Sequence, residues 1–165
     1  MADLDHTDFE DQLWKAIDHE KVGMLGFVGG PPRHFQPMTA FAEPQTRTIW
    51  FFCARENDLV KSAARESSAM FCLNARDHDL WACVGGDLST AHDQARIDRF
   101  WSPVTAAWFP NGREDPALTL LRFNVIDAQV WVAKKGPFRF AYEIARANLT
   151  RHEPDVGETA HLRFN

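Results

Sequence analysis

Histidines and cysteines are the side chains best suited to holding a metal or attacking a substrate, and their spacing limits what they can do. His6, His19, His34, His78, His92, His152 and His161 form no H-E-x-x-H motif and do not alternate with Cys53, Cys72 and Cys83 in a zinc-site pattern, so no metal is expected. His78, between Asp77 and Asp79, reads as a loop histidine among solvated aspartates. Gly85-Gly86 lacks the neighbouring serine of a nucleophile elbow. The glycine-rich phosphate loops are also missing: Gly23, Gly26, Gly29 and Gly30 lie on or after a strand with no helix following, and read as bulges and a tight turn. No residue stands out as an acid or base. That suits chemistry carried by a bound cofactor, and equally a protein without turnover.

The segment from Gln36 to Lys61 offers binding groups instead. It reads QPMTAF, a turn, IWFFC, a loop, then NDLVK. In a pair of extended strands, the backbone of Met38-Thr39-Ala40 and the edge of Trp50-Phe51-Phe52-Cys53 present amide donors and acceptors to a planar heterocycle, with side chains forming an apolar wall. Lys61, a loop and a helical turn further on, can reach a terminal phosphate as a point charge; its alternative is an exposed helix lysine. Thirteen Phe and six Trp supply apolar surface for a core, an interface or a flat ligand. Trp101, Trp108 and Phe109 suit either packing or a subunit contact.

These residues need elements to position them. Phe9, Leu13, Trp14 and Ile17 recur at helical spacing in 7–20, with Thr7 or Asp8 available as cap. Residues 22–28 read as a strand closed by Gly29-Gly30-Pro31-Pro32, and 33–43 as an extended run. Residues 47–54 form the clearest strand, joined through Glu43-Pro44-Gln45 in a hairpin. Asn57 or Asp58 caps a short helix through Glu66, and strands follow at 69–74 and 80–88. A second helix begins at Ser89 or Thr90 and carries Ile97, Phe100 and Trp101 to Ser102-Pro103. The last strands are 118–126 and 128–132, and Gly136-Pro137 leads into a helical tail over 137–165 with Phe138, Tyr142, Ile144 and Ala145 on its partner-facing side. Hairpin-ordered strands with helices at their ends predict an antiparallel barrel with peripheral helices, in the mainly β (α+β) class.

The 165 residues suit one domain, 1–165. A net charge of −5 without a dense Lys/Arg cluster argues against nucleic acid as partner. The acidic start MADLDHTDFEDQ lacks an apolar leader and no run approaches a membrane span, so no membrane partner is expected and the cytoplasm is the expected location. Three cysteines in apolar runs read as buried free thiols in a reducing compartment.

QPMTAF followed by IWFFC resembles the paired strands of the pyridoxamine 5'-phosphate oxidase-like flavin-binding split barrels, especially their bacterial general stress protein branch. HDLWACVGGDLS, ARIDRFWSPVTAAWFPNGREDPALTLLRF and AQVWVA extend the resemblance over about residues 10–133. It implies a six-stranded split barrel that works as a homodimer and binds FMN, or alternatively FAD, in two equivalent grooves between subunits. It also implies a flavin-dependent oxidoreductase with NAD(P)H or another small reductant, or else a non-catalytic flavin-binding stress protein. Carried over by position, Gln36, Met38 and Thr39 would flank the flavin, and Phe52 and Cys53 would stand on the adjoining strand. Asp58 and Lys61 would face the phosphate, while Trp108 and Phe109 would approach from the second subunit. Many relatives carry arginine at the position of Gln36 and threonine or serine at that of Cys53; Arg33 or Arg55 are the cations available to compensate.

Overall fold

The computed structural model describes residues 5–64, 67–134 and 137–164. Helix α1 (His6–Glu20) starts earlier than its apolar stripe suggests. Asp5 and Asp8 close a reciprocal cap: the Asp8 amide donates to Asp5 Oδ1 at 2.9 Å and the Asp5 amide to Asp8 Oδ2 at 3.1 Å. The cap therefore lies before Thr7, because only the Asp5/Asp8 spacing satisfies two free helix amides at once. As the spacing predicts, Phe9, Leu13, Trp14 and Ile17 are buried.

Eight strands are described: β1 (Val22–Phe27), β2 (Gln36–Thr39), β3 (Phe41–Glu43), β4 (Thr48–Ala54), β5 (Ser67–Asn74), β6 (Leu80–Ala91), β7 (Leu118–Ala133) and β8 (Gly157–Arg163). All their pairings are antiparallel, in the order β2-β1-β5-β6-β7-β4-β3, with β8 also on β7. The outermost strands of this order, β2 and β3, are separated in the chain by Ala40 alone, so the sheet has to curl until its two ends meet. Ala40 is fully buried and its amide donates to Lys21 O at 2.6 Å. The expected antiparallel barrel with peripheral helices is thus present. Its strand count exceeds six because the extended run 33–43 divides at Ala40 and the tail contributes β8.

Strand alternation sorts the aromatic surplus into two cores. Ile49, Phe51 and Cys53 of β4 point into the barrel with Leu25, Phe71, Val84, Phe123 and Val130. Trp50 points to the opposite face and packs with Ile97, Phe109, Leu118 and Leu120, with half-buried Phe52 and Trp101 against them. Helices α3 (Gln94–Phe100) and α4 (Pro103–Trp108) cover this outer core, and α2 (Asp58–Ala63) follows β4. Asn57 caps α2, accepting from the Leu59 amide at 2.8 Å. The expected extension of α2 to Glu66 reaches residues 65–66, which lie outside the described residues. The helix expected from Ser89 or Thr90 starts at Gln94 instead, because β6 keeps its ladder with β7 to Ala91 and Asp93 supplies the cap.

Residues 118–126 and 128–132 form one strand rather than two. A bulge leaves Ile126 of β7 as the extra residue opposite the Gly85–Gly86 step of β6, so β7 bends without breaking. A Cβ on Gly86 would lie 2.1 Å from Asn124 O. The tail is helical only over α5 (Pro137–Thr150) and then returns to the sheet as β8, with Trp14 and Phe164 in edge contact at 6.1 Å between centroids. The Phe138 side chain lies outside the described residues. No described helix is long and apolar enough to cross a membrane.

Candidate ligand groove at the β2 edge

Edge strands leave backbone donors and acceptors unused on one side. Strand β2 is such an edge, paired only with β1 among the described residues, and it alternates exposed Thr39 with buried Met38. Gln36 Oε1 accepts from Asn57 Nδ2 at 3.0 Å, tying the start of this edge to the residue that caps α2. That bond uses the carbonyl end of the Gln36 carboxamide and leaves its amino end as the donor. Ser62 Oγ donates to Pro31 O at 3.3 Å, fastening the same helix to the preceding loop. Strand β2 and α2 are therefore held side by side.

Helix α2 brings Asp58 in its first turn and Lys61 in its last turn, both exposed. Lys61 Nζ stands 3.6 Å from Glu56 Oε2, a loose and hydrated pair that leaves the ammonium available to another anion. The Gln36–Asn57 bond thus sets the start of β2, the strand that carries Met38 and Thr39, beside the first residues of the helix that carries Asp58 and Lys61.

The remaining candidates separate. Phe52 faces the outer core, meeting Phe41 at 5.3 Å and Trp101 at 6.0 Å in edge contacts. Cys53 points into the barrel, 4 % exposed, and burial pushes its thiol up to about 11, so it stays protonated at neutral pH. Phe109 is buried under α4, whereas its neighbour Trp108 is 78 % exposed. Of the aromatic pair, Trp108 is the one free to reach another molecule.

A buried charged cluster was not singled out in the sequence. Glu43, 4 % exposed, ends β3 and accepts from Trp50 Nε1 at 2.9 Å, Arg99 Nη1 at 2.8 Å and Arg96 Nη2 at 3.3 Å. Burial alone would raise its pKa. The hydrogen bonds from Trp50, Thr46 and Arg96, together with the Arg96 charge, outweigh that and hold it below the usual carboxylate range. This latch fixes α3 to the β3–β4 hairpin. An arginine pair one helical turn apart was its sequence signal, but nothing local pointed to Glu43 as the partner.

Two cavities lie elsewhere, and none of the nine candidate residues lines either. One of about 430 Å³ is bounded by Arg55, His92, Asp93, Ile97 and Arg113; the other, of about 460 Å³, by His78, Trp81, Trp131, Phe140 and Lys134. Among the described residues no three His, Cys, Asp or Glu side chains group closely enough to hold a metal.

Comparison with known proteins matches residues 8–155 to the family described as pyridoxamine 5'-phosphate oxidase like. The chain is similar to the crystal structure of general stress protein 26 from Jannaschia sp. CCS1: 34 % identity, TM-score 0.81, covering 96 % of this chain and 99 % of that one. A general stress family protein of Xanthomonas campestris pv. campestris shares 34 % identity, with TM-score 0.74 and coverage of 81 % and 93 %. The general stress FMN/FAD binding protein of Xanthomonas citri shares 33 %, with TM-score 0.73 and coverage of 79 % and 92 %. No curated protein matches.

Proposed function

The chain belongs to the pyridoxamine 5'-phosphate oxidase-like family, and on that premise we propose that it binds FMN, with FAD the alternative, in two equivalent grooves of a cytoplasmic homodimer and acts as a flavin-dependent oxidoreductase. The observation that carries the reading is the tethered pair of β2 and α2, which sets an open strand edge beside an exposed, loosely paired lysine. The three free thiols suit a reducing compartment. The 33 % identical Xanthomonas citri protein, named for FMN/FAD binding, supports the choice of ligand.

In this reading the backbone of Gln36–Thr39 hydrogen-bonds the polar edge of the ring and Met38 contributes apolar contact. Lys61 pairs with the phosphate, with the Gln36 carboxamide as a second donor. A twofold axis supplies both grooves, and exposed Trp108 comes from the partner to cover the ring and exclude water. Bound flavin supplies hydride or electron transfer; the chain contributes position and hydrogen bonds.

A second reading, a flavin carrier without turnover, is favoured by one observation: Cys53, the thiol among the candidate residues, is sealed inside the barrel and offers no reacting group to a ligand. The absorption spectrum of purified protein decides. A yellow preparation bleached by NAD(P)H supports the oxidoreductase, and a yellow one inert to reductants supports the carrier. A colourless protein that takes up neither FMN nor FAD overturns both.

A further inference from the structure

Outside that groove, three sulfur side chains lie in one row across adjacent strands. Residues directly paired in an antiparallel ladder project to the same face, and Met24 pairs with Cys72, which pairs with Cys83. Cys72 and Cys83 stand with their sulfurs 3.4 Å apart as free thiols.

The backbone sets this approach. The Ala75 amide donates to Leu80 O at 2.8 Å, making that couple a hydrogen-bonded pair at the hairpin end. Alternation then puts Cys72 and Cys83, three steps along, in a non-hydrogen-bonded pair, where opposed Cα atoms approach to about 4.5 Å. The face is reachable: Met24 is 42 % exposed, and both cysteines are only half-buried, unlike Cys53 inside the barrel. Met70, two residues before Cys72 on the same strand and face, stands opposite Gly85, over which the Asp127 carboxylate lies.

Two thiols in contact with a thioether alongside make a donor set of soft sulfur only. Thiolate sulfur holds zinc as well as Cu(I), but structural zinc takes four thiolate, imidazole or carboxylate ligands in a tetrahedron, whereas two thiolates and a thioether suit soft monovalent copper. We propose that Met24, Cys72 and Cys83 form a surface site for a soft monovalent cation of the Cu(I) class. Binding forms two copper–thiolate bonds and one thioether contact, releases the two thiol protons to solvent and changes no oxidation state. The site was invisible to the histidine and cysteine spacing, which led the sequence to predict no metal, because sheet register rather than sequence proximity assembles it and methionine supplies one ligand.

The test is an anaerobic titration of the full-length, reduced protein with Cu(I) in competition with the chromophoric chelator bicinchoninate. One Cu(I) per chain is expected, with two of the three thiols becoming unreactive to a disulfide reagent. Cys72→Ser and Cys83→Ser should each lose the tight equivalent, and Cys53→Ser should keep it. Met24→Leu, which leaves both thiols in place, should weaken binding on the order of tenfold, comparable to losing a supporting partner of a metal ligand. Failure to compete for one equivalent overturns the proposal. So does undiminished uptake by the Cys72→Ser/Cys83→Ser double variant, or a mass lower by two hydrogens with no copper bound, which marks a disulfide instead.

Discussion

Lys61 and Glu43 are charged residues in opposite surroundings, one in solvent on α2 and one sealed beneath α3. A solvated ammonium contributes little to stability but discriminates ligands by charge. Lys61→Ala should therefore weaken FMN on the order of tenfold or more, the worth of one hydrogen bond to a charged group, and leave riboflavin almost unchanged. Fluorescence titration with both ligands checks this, and equal losses would refute the phosphate role. Glu43 acts on the fold instead. Glu43→Gln should cost about 2 kcal/mol in chemical denaturation, since the carboxylate holds two guanidiniums and an indole. Because its folded pKa is depressed, the stability it contributes is complete above the ordinary glutamate range and fades as pH falls through the lower, folded value. Wild-type protein should lose stability across that acidic window and Glu43→Gln should lose less, measured as denaturation midpoints against pH.

Among the elements, the bulge between β6 and β7 is the most exacting. Any side chain at Gly86 must displace the β7 backbone at Asn124, so Gly86→Ala should cost about 2 kcal/mol or more, read as a lowered Tm. This scale also shows what the sequence could convey. Strands β1, β4 and β5 were legible because each is a short apolar or aromatic run closed by turn formers. Strand β7 read as two because Asp127 interrupts its apolar pattern, and only the bulge at Ile126 shows the chain passing through. Strand β8, GETAHLR, was missed because only Leu162 of it is buried. The candidate site was read from the sequence as a segment, 36–61, but the Gln36–Asn57 bond and the inward turn of Cys53 depend on register and on which face of β4 points inward, neither of which the local composition encodes.

For the whole molecule, the proposed dimer rests on exposed Trp108 beside buried Phe109 as the point where a second copy would bear on the first. If Trp108 completes the partner's groove, Trp108→Ala should shift a dimer toward monomer in sedimentation velocity and lose flavin in parallel. A stable dimer with unchanged flavin content would remove Trp108 from that role. The contact between Trp14 and Phe164 bears on how the chain assembles during translation. Helix α1 leaves the ribosome early, with an apolar stripe whose cover includes residues made far later. Until Leu162 and Phe164 emerge, α1 lacks the part of its packing that β8 supplies, so a growing chain carries that part of the helix face uncovered until β8 is made. A stalled or prematurely released chain would therefore present α1 to chaperones and proteases as its mark of incompleteness.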